Sequence, residues 1–173
     1  MERSGTLGNE STQYFRALQR AKETEMPQSF TNLQYHIVFG VKDRQPLITD
    51  DIKSRTIGYI AGIINSEKGI TLAINAMCDH IHILAILPRD RSISDMMRDI
   101  KSHSSMWIQK TFPESRNFAW QAGYAAFSIS YAGTEKVKEY INKQEEHHRV
   151  ISFRDEYISF LKKHDIEFDE RLI

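Results

Sequence analysis

The run "CDHIHIL", Cys78 to Leu84, sets two histidines one residue apart in an otherwise apolar stretch. On an extended chain alternate residues face the same way, so His80 and His82 project from one face while Ile81 and Ile83 enter the other. Two neighbouring imidazoles can bite one divalent ion. Histidines on a strand also serve as hydrogen-bonded structural residues, and the spacing alone leaves both readings open. A second pairing lies in "EKVKEYINKQEEHH", where Tyr140 and Gln144 are four residues apart and sit one turn from each other on a helix face. Tyr140 equally fits a plain amphipathic stripe with Val137 and Ile141. Outside this first set stand His36, which alternates with the apolar residues of its own stretch, and His147 and His148, which suit the negative end of a helix.

These residues need elements to hold them. "NLQYHIVFGV", Asn32 to Val41, is rich in β-formers with Tyr35, Ile37 and Phe39 on one face, and predicts a first strand. Thr49 as an N-cap, two acids after it, and Ile52, Ile60, Ala61 and Ile64 at helical spacing predict a helix ending near Gly69. Residues 70–77 and 80–87 predict two strands joined through Cys78 and Asp79, the second stopped by Pro88. A second helix runs from Ser92 to about Lys110, with Ile93, Met97, Ile100, Ser104, Trp107 and Ile108 along one stripe. "GYAAFSISY" predicts a fourth strand, and Thr134 opens a third helix reaching about His148. The order β-α-β-β-α-β is the split βαβ, ferredoxin-like arrangement, an α+β fold with an antiparallel sheet and helices on one face, followed here by a C-terminal helix carrying Tyr140. Beyond it, Phe153, Tyr157, Phe160 and Leu161 at helical spacing predict a short amphipathic tail helix.

Composition bounds what this arrangement serves. A chain of 173 residues, 40% hydrophobic, buries one sizeable core. We expect residues 1–25 to be a loosely ordered polar extension, 26–150 the domain, and 151–173 a tail helix packing on it or on a partner copy. With 23 basic and 23 acidic residues, net charge gives no sign of nucleic acid. The single cysteine, Cys78, excludes an internal disulfide framework and fits a reducing, cytoplasmic setting. No apolar run approaches the roughly 20 residues that span a membrane.

The motifs in their order resemble the single-tyrosine transposases of small bacterial insertion sequences, the insertion-sequence-200-like family of the HUH endonuclease superfamily. The likeness is carried by "YHIVFGVKDRQPLI" around the first strand, "CDHIHILAILP" for the histidine strand and "SISDMMRDIKSHSSMWI" for the second helix. It continues in "FAWQAGYAAFSIS" before the last strand and "VKEYINKQEEHH" for the tyrosine helix, while residues 1–25 have no counterpart. The resemblance implies that His80, His82 and the amide oxygen of Gln144 hold a divalent metal, Mg²⁺ or Mn²⁺. Tyr140 is then the nucleophile that cleaves and rejoins single-stranded, hairpin-bearing DNA through a 5′-phosphotyrosine. A phenol with an ordinary pKa of about 10 needs activation for this, by a group the sequence does not identify. The resemblance further implies a homodimer whose tyrosine helices dock on the partner's histidines, giving shared active sites.

DNA contacts are less sharply encoded. Lys42, Arg44, Arg89, Arg91, Arg98 and Lys101 are the candidates for phosphate contacts, and a solvated surface charge is the plain alternative for each. Trp120 and Phe127 are large enough to stack on bases, with core packing as their alternative. Two other tasks fit the same residues: a domesticated relative that processes repetitive extragenic palindromes, and a catalytically inactive hairpin DNA-binding protein.

Overall fold

A computed structural model describes residues 30–169. The extension expected over residues 1–25 lies outside the described residues. From Asn32 onward the chain forms one compact unit. Its strands are β1 (Gln34–Gly40), β2 (Ile70–Ala76), β3 (His80–Ile86) and β4 (Ala125–Ile129). They lie in the order β2-β3-β1-β4, every neighbouring pair antiparallel. That is the split βαβ sheet expected from the order of elements.

Helix α1 (Asp50–Ser66) joins β1 to β2, and α2 (Ile93–Thr111) joins β3 to β4. Both lie on one face of the sheet. Ile37, Phe39, Ile81 and Ile83 meet Ile52, Ile60 and Ile64 of α1 and Met96, Met97, Ile100 and Ile108 of α2 in a single buried cluster. Alternation on the strands and the 3.6 period on the helices bring these residues together. Ser92 caps α2, its side chain accepting from the Asp95 amide. Thr49 precedes α1 as expected but makes no side-chain capping bond. Trp120 is buried, its indole N–H donating to Ser104 Oγ at 2.8 Å, and Phe127 is buried too. Both therefore serve the core, not base stacking.

The opposite face carries the C-terminal elements: α3 (Thr134–Asn142), α4 (Gln144–His147) and α5 (Phe153–Lys163). The sequence predicts one helix from Thr134 to about His148; the structure breaks it at Lys143, where ψ reaches 15°. Side chains of the sheet pin α3 at both ends. Thr134 Oγ1 donates to Gln34 Oε1 at 2.6 Å, and Asn75 Nδ2 donates to the Ile141 carbonyl at 2.9 Å. Asn75 lies opposite His82 in the register, so the strand that neighbours the histidines also fixes the tyrosine helix.

Candidate active site

The register sets the site on one face: His80 opposite Gly40, His82 opposite Val38, and Leu84 opposite His36. His80 is 1% exposed and His82 0%. Asp79 Oδ1 lies 2.6 Å from His80 Nδ1, and a carboxylate can only accept there, so Nδ1 carries the proton. His82 Nδ1 lies 3.0 Å from His36 Nε2, placing a second orienting partner behind the second ring. With Nδ1–H donating to Asp79, His80 Nε2 keeps a bare lone pair facing inward, while His36 orients the His82 ring so that its Nε2 faces the same way. Neither Nε2 has a hydrogen-bond partner. Burial holds both rings neutral at ordinary pH: His80 is pulled down to about 4 even though Asp79 opposes the shift, and His82 is lowered as well. His36 is pulled down to about 3 by burial and by the neighbouring His82.

Tyr140 and Gln144 reach the same place from above, although the helix breaks between them. Tyr140 donates its hydroxyl to Glu156 Oε1, and Gln144 Nε2 donates to the same oxygen at 3.0 Å. Glu156, on α5, is 3% exposed. Its other oxygen, Oε2, lies 3.3 Å from His82 Nε2 and 3.3 Å from His148 Nε2 without the alignment of a hydrogen bond. Burial works to raise Glu156, but His148, His82 and the Tyr140 hydroxyl outweigh it and hold the carboxyl well below its usual range. The same contact works oppositely on Tyr140: burial and the Glu156 charge push its phenol well above its ordinary value. Tyr140 is therefore protonated in this arrangement.

Five buried atoms here lack a hydrogen-bond partner: His80 Nε2, His82 Nε2, His148 Nε2, Gln144 Oε1 and Glu156 Oε2. Ligand atoms of His80, His82, His148 and Glu156 lie within 4.8 Å of one another. Leaving a buried polar atom unsatisfied costs about 1–3 kcal/mol, so such a cluster is costly unless something binds it. Imidazole nitrogens and a carboxylate oxygen gathered this closely, with the unpartnered Gln144 amide oxygen nearby, suit a cation. The residues present thus fit a divalent metal.

The sequence singled out His80, His82, Tyr140 and Gln144, and the structure brings all four together within one chain. It adds Asp79, His36, His148 and Glu156. For Glu156 the sequence does carry a signal: an acid three residues after Phe153 and four before Phe160, within the apolar stripe of the tail helix. For His148 there is none, because a histidine after a helix end has a sufficient local explanation. Aromatic rings close the remaining space. Phe153 stacks on His80 with centroids 4.0 Å apart, and Phe160 stands edge-on to His36 at 5.1 Å and to Tyr140 at 5.7 Å. Gly40 permits this, since a Cβ there would meet Gln121 Oε1 at 2.9 Å and the Phe153 ring at 3.3 Å.

The candidate phosphate contacts divide by what already holds them. Arg91 bridges Glu67 at 2.6 Å and Asp99 at 2.5 Å, Arg98 pairs with Asp95 at 2.8 Å, and Lys101 donates to the Ala122 and Gly123 carbonyls. Arg98 and Lys101 nevertheless line one open depression with Trp120 and Tyr124. Lys42 and Arg44 lie in the 3-10 turn after β1, where Arg44 takes a left-handed backbone (φ 53°) and its guanidinium sits 5.3 Å over the Phe153 ring. Arg89 follows β3 and Pro88. Cys78, which precedes Asp79, is exposed. No described helix is long and apolar enough to cross a membrane.

Comparison with known proteins gives a consistent set of likenesses. A family model described as "Transposase IS200 like" matches residues 29–144. That span includes His80, His82, Tyr140 and Gln144 and stops short of His148 and Glu156. Over 126 residues the chain is 30% identical to proteins named "Transposase for insertion sequence element IS200" from Salmonella typhimurium (strain LT2) and Salmonella typhi, covering 69% of this chain and 81% of each relative. A proposed transposase from Deinococcus radiodurans R1 shares the fold with a TM-score of 0.55 at 18% identity, covering 70% of this chain and 98% of that one. The structure of a REP-associated tyrosine transposase bound to a REP hairpin gives a TM-score of 0.53 at 17% identity, covering 71% and 74%.

Proposed function

Because this chain belongs to the IS200-like transposase family, we propose that it cleaves and rejoins single-stranded, hairpin-bearing DNA through a 5′-phosphotyrosine on Tyr140. The observation that supports this reading best is the meeting of Tyr140 with the inward Nε2 atoms of His80 and His82 and the free Oε1 of Gln144. His80, His82 and Gln144 would hold Mg²⁺ or Mn²⁺. Such an ion, when bound, neutralises charge developing on the scissile phosphate.

The chain's own residues do the rest. Asp79 fixes the His80 tautomer, so that its lone pair faces the site, and His36 orients the His82 ring. Tyr140 Oη forms a bond to phosphorus as the bond from phosphorus to the 3′ oxygen breaks. A 5′-phosphotyrosine and a free 3′ hydroxyl remain. The phosphate stays esterified throughout, so the 3′ hydroxyl of another strand can displace the tyrosine without ATP.

Incubation with single-stranded hairpin DNA and Mg²⁺ or Mn²⁺, followed by a denaturing gel, tests the reading. A metal-dependent covalent protein–DNA band that is lost in Tyr140→Phe is expected. A band that persists in Tyr140→Phe would remove Tyr140 from its role, and binding without any band would favour a hairpin-binding protein. A domesticated processor of extragenic palindromes would give the same band; hairpin ends bordering the gene distinguish a mobile element from it.

The family likeness implies a homodimer with sites shared between subunits. The close approach of Tyr140 to its own chain's site favours a second arrangement, a complete site in each subunit. Mixing Tyr140→Phe with His80→Ala protein separates them: cleavage recovers only if the sites are shared.

A further inference from the structure

The converging donor atoms of the site come from two groups of residues. His80, His82 and Gln144 lie within the span matched by the family model, whereas His148 and Glu156 lie beyond it. We propose that the C-terminal segment supplies two further ligands, His148 Nε2 and Glu156 Oε2, to the ion held by His80, His82 and Gln144. The inference rests on the divalent-metal reading above.

The orientation of His148 is the first argument. Its Nδ1 lies 2.9 Å from the Ile151 carbonyl, which can only accept, so Nδ1 carries a proton and Nε2 is the atom turned into the site. His80 is arranged in the same way by Asp79, and the His82 ring is held through its Nδ1 by His36. Three rings therefore turn their Nε2 atoms toward one point, each backed by a partner at Nδ1, as metal-bound imidazoles usually are. A histidine that only filled the end of a helix would have no need to be turned inward.

Glu156 is the second argument. Its Oε1 is occupied by Tyr140 and Gln144, and its Oε2 faces the imidazoles with no hydrogen-bond donor. A carboxylate 3% exposed needs a countercharge, which in this chain is the His148 ring drawn toward its charged form, and which a divalent ion would provide once that ring gave up its proton. Gln144 agrees with this, because donating Nε2 to Glu156 leaves its Oε1 free to face inward. Donors about 2.1 Å from a common ion lie at most about 4.2 Å apart, so the observed 4.8 Å spread closes with shifts of a few tenths of an ångström. A set richer in imidazole than in oxygen favours Mn²⁺ over Mg²⁺. The arrangement also places one carboxylate between the ion, at Oε2, and the nucleophile, at Oε1.

Titration of the full chain with Mn²⁺, by calorimetry and by loss of the free-Mn²⁺ electron resonance signal, provides the test without recourse to cleavage. Glu156→Gln keeps the shape of the side chain, and we expect it to weaken Mn²⁺ binding by about tenfold or more. We expect a similar loss for His148→Gln. Mn²⁺ should raise the melting temperature of the wild-type chain and shift that of Glu156→Gln far less. Should Glu156→Gln fail to fold, His148→Gln decides the question on the same readouts. If both tail variants bind Mn²⁺ as the wild type does while His80→Ala loses it, the tail ligands are overturned and the metal reading stands. If the wild type itself binds no Mn²⁺ or Mg²⁺, both fall together.

Discussion

At the scale of single residues, Asp79 and His36 determine what the histidine pair can do. Asp79 holds a proton on the outward nitrogen of His80, and His36 sets the orientation of His82. Asp79→Asn preserves size but can offer its amide N–H to Nδ1, which would favour the wrong tautomer of His80. We expect about a tenfold loss of Mn²⁺ affinity, with cleavage falling in step, measured by titration and by the covalent-band assay. The same residues set a pH dependence in the metal-free chain. His36 and His80 are lowered from 6.5 to about 3 and about 4, so below 6.5 the unfolded chain takes up protons that the fold refuses. Their stabilising contribution is present above 6.5 and lost as pH falls through the folded values. Glu156, lowered by its imidazole and hydroxyl neighbours against the effect of burial, is also destabilising when acidified. His148 works the other way. It is raised because Glu156 outweighs burial, so its contribution is present below 6.5 and lost above. With His36 and His80 prevailing over His148, the denaturant midpoint should fall from about pH 7 to about pH 4.5, Glu156 adding its loss only below 4.5, and a midpoint that rises over that interval would contradict neutral buried imidazoles.

At the scale of elements, β1 and β3 form a rigid floor, and a few side chains place α3 and α5 on it. Asn75→Ala removes the bond that holds the end of α3 at the Ile141 carbonyl. Thermal or chemical unfolding should show a loss of about 1 kcal/mol, and cleavage should fall by more than that loss explains because Tyr140 is no longer held. Gly40→Ala presses a methyl group against Gln121 and Phe153. A destabilisation of about 1–3 kcal/mol is expected, together with loss of the Phe153 stack on His80, read from the shifts of the His80 ring in NMR spectra. The strands and long helices were legible because each repeats a local pattern: alternation in "YHIVFGV", and the spacing of Ile52, Ile60 and Ile64. The break at Lys143 was not. Nothing between Tyr140 and Gln144 disrupts helical spacing, and the interruption accompanies ties to other elements, such as Asn75 to Ile141. Glu156 was marked only as an acid within an apolar stripe, and His148 only as a histidine past a helix end; that they meet His82 and His80 is a long-range contact that no local period records.

At the scale of the whole molecule, the C-terminal segment closes the site that the sheet opens. His82 is fully buried beneath Glu156 and the rings of α5, so a DNA phosphate cannot reach it while α5 stays docked. Binding of hairpin DNA in a reactive state should therefore release α5, a phosphate oxygen taking the place that Glu156 Oε2 would hold in the DNA-free chain. Hydrogen exchange should quicken over residues 153–163 when DNA and Mn²⁺ are added, with β1 and β3 unchanged; protection that persists throughout α5 during turnover would contradict this closure. Net charge offers no general pull on DNA, since basic and acidic residues balance at 23 each. Recognition then depends on where cations lie, such as Lys42 and Arg44 beside the site. Cys78 supplies a means of watching the closure directly. It is the chain's single cysteine, exposed and two positions before His80. A fluorophore coupled to it would report, in the otherwise native sequence, each time the roof over the histidines lifts.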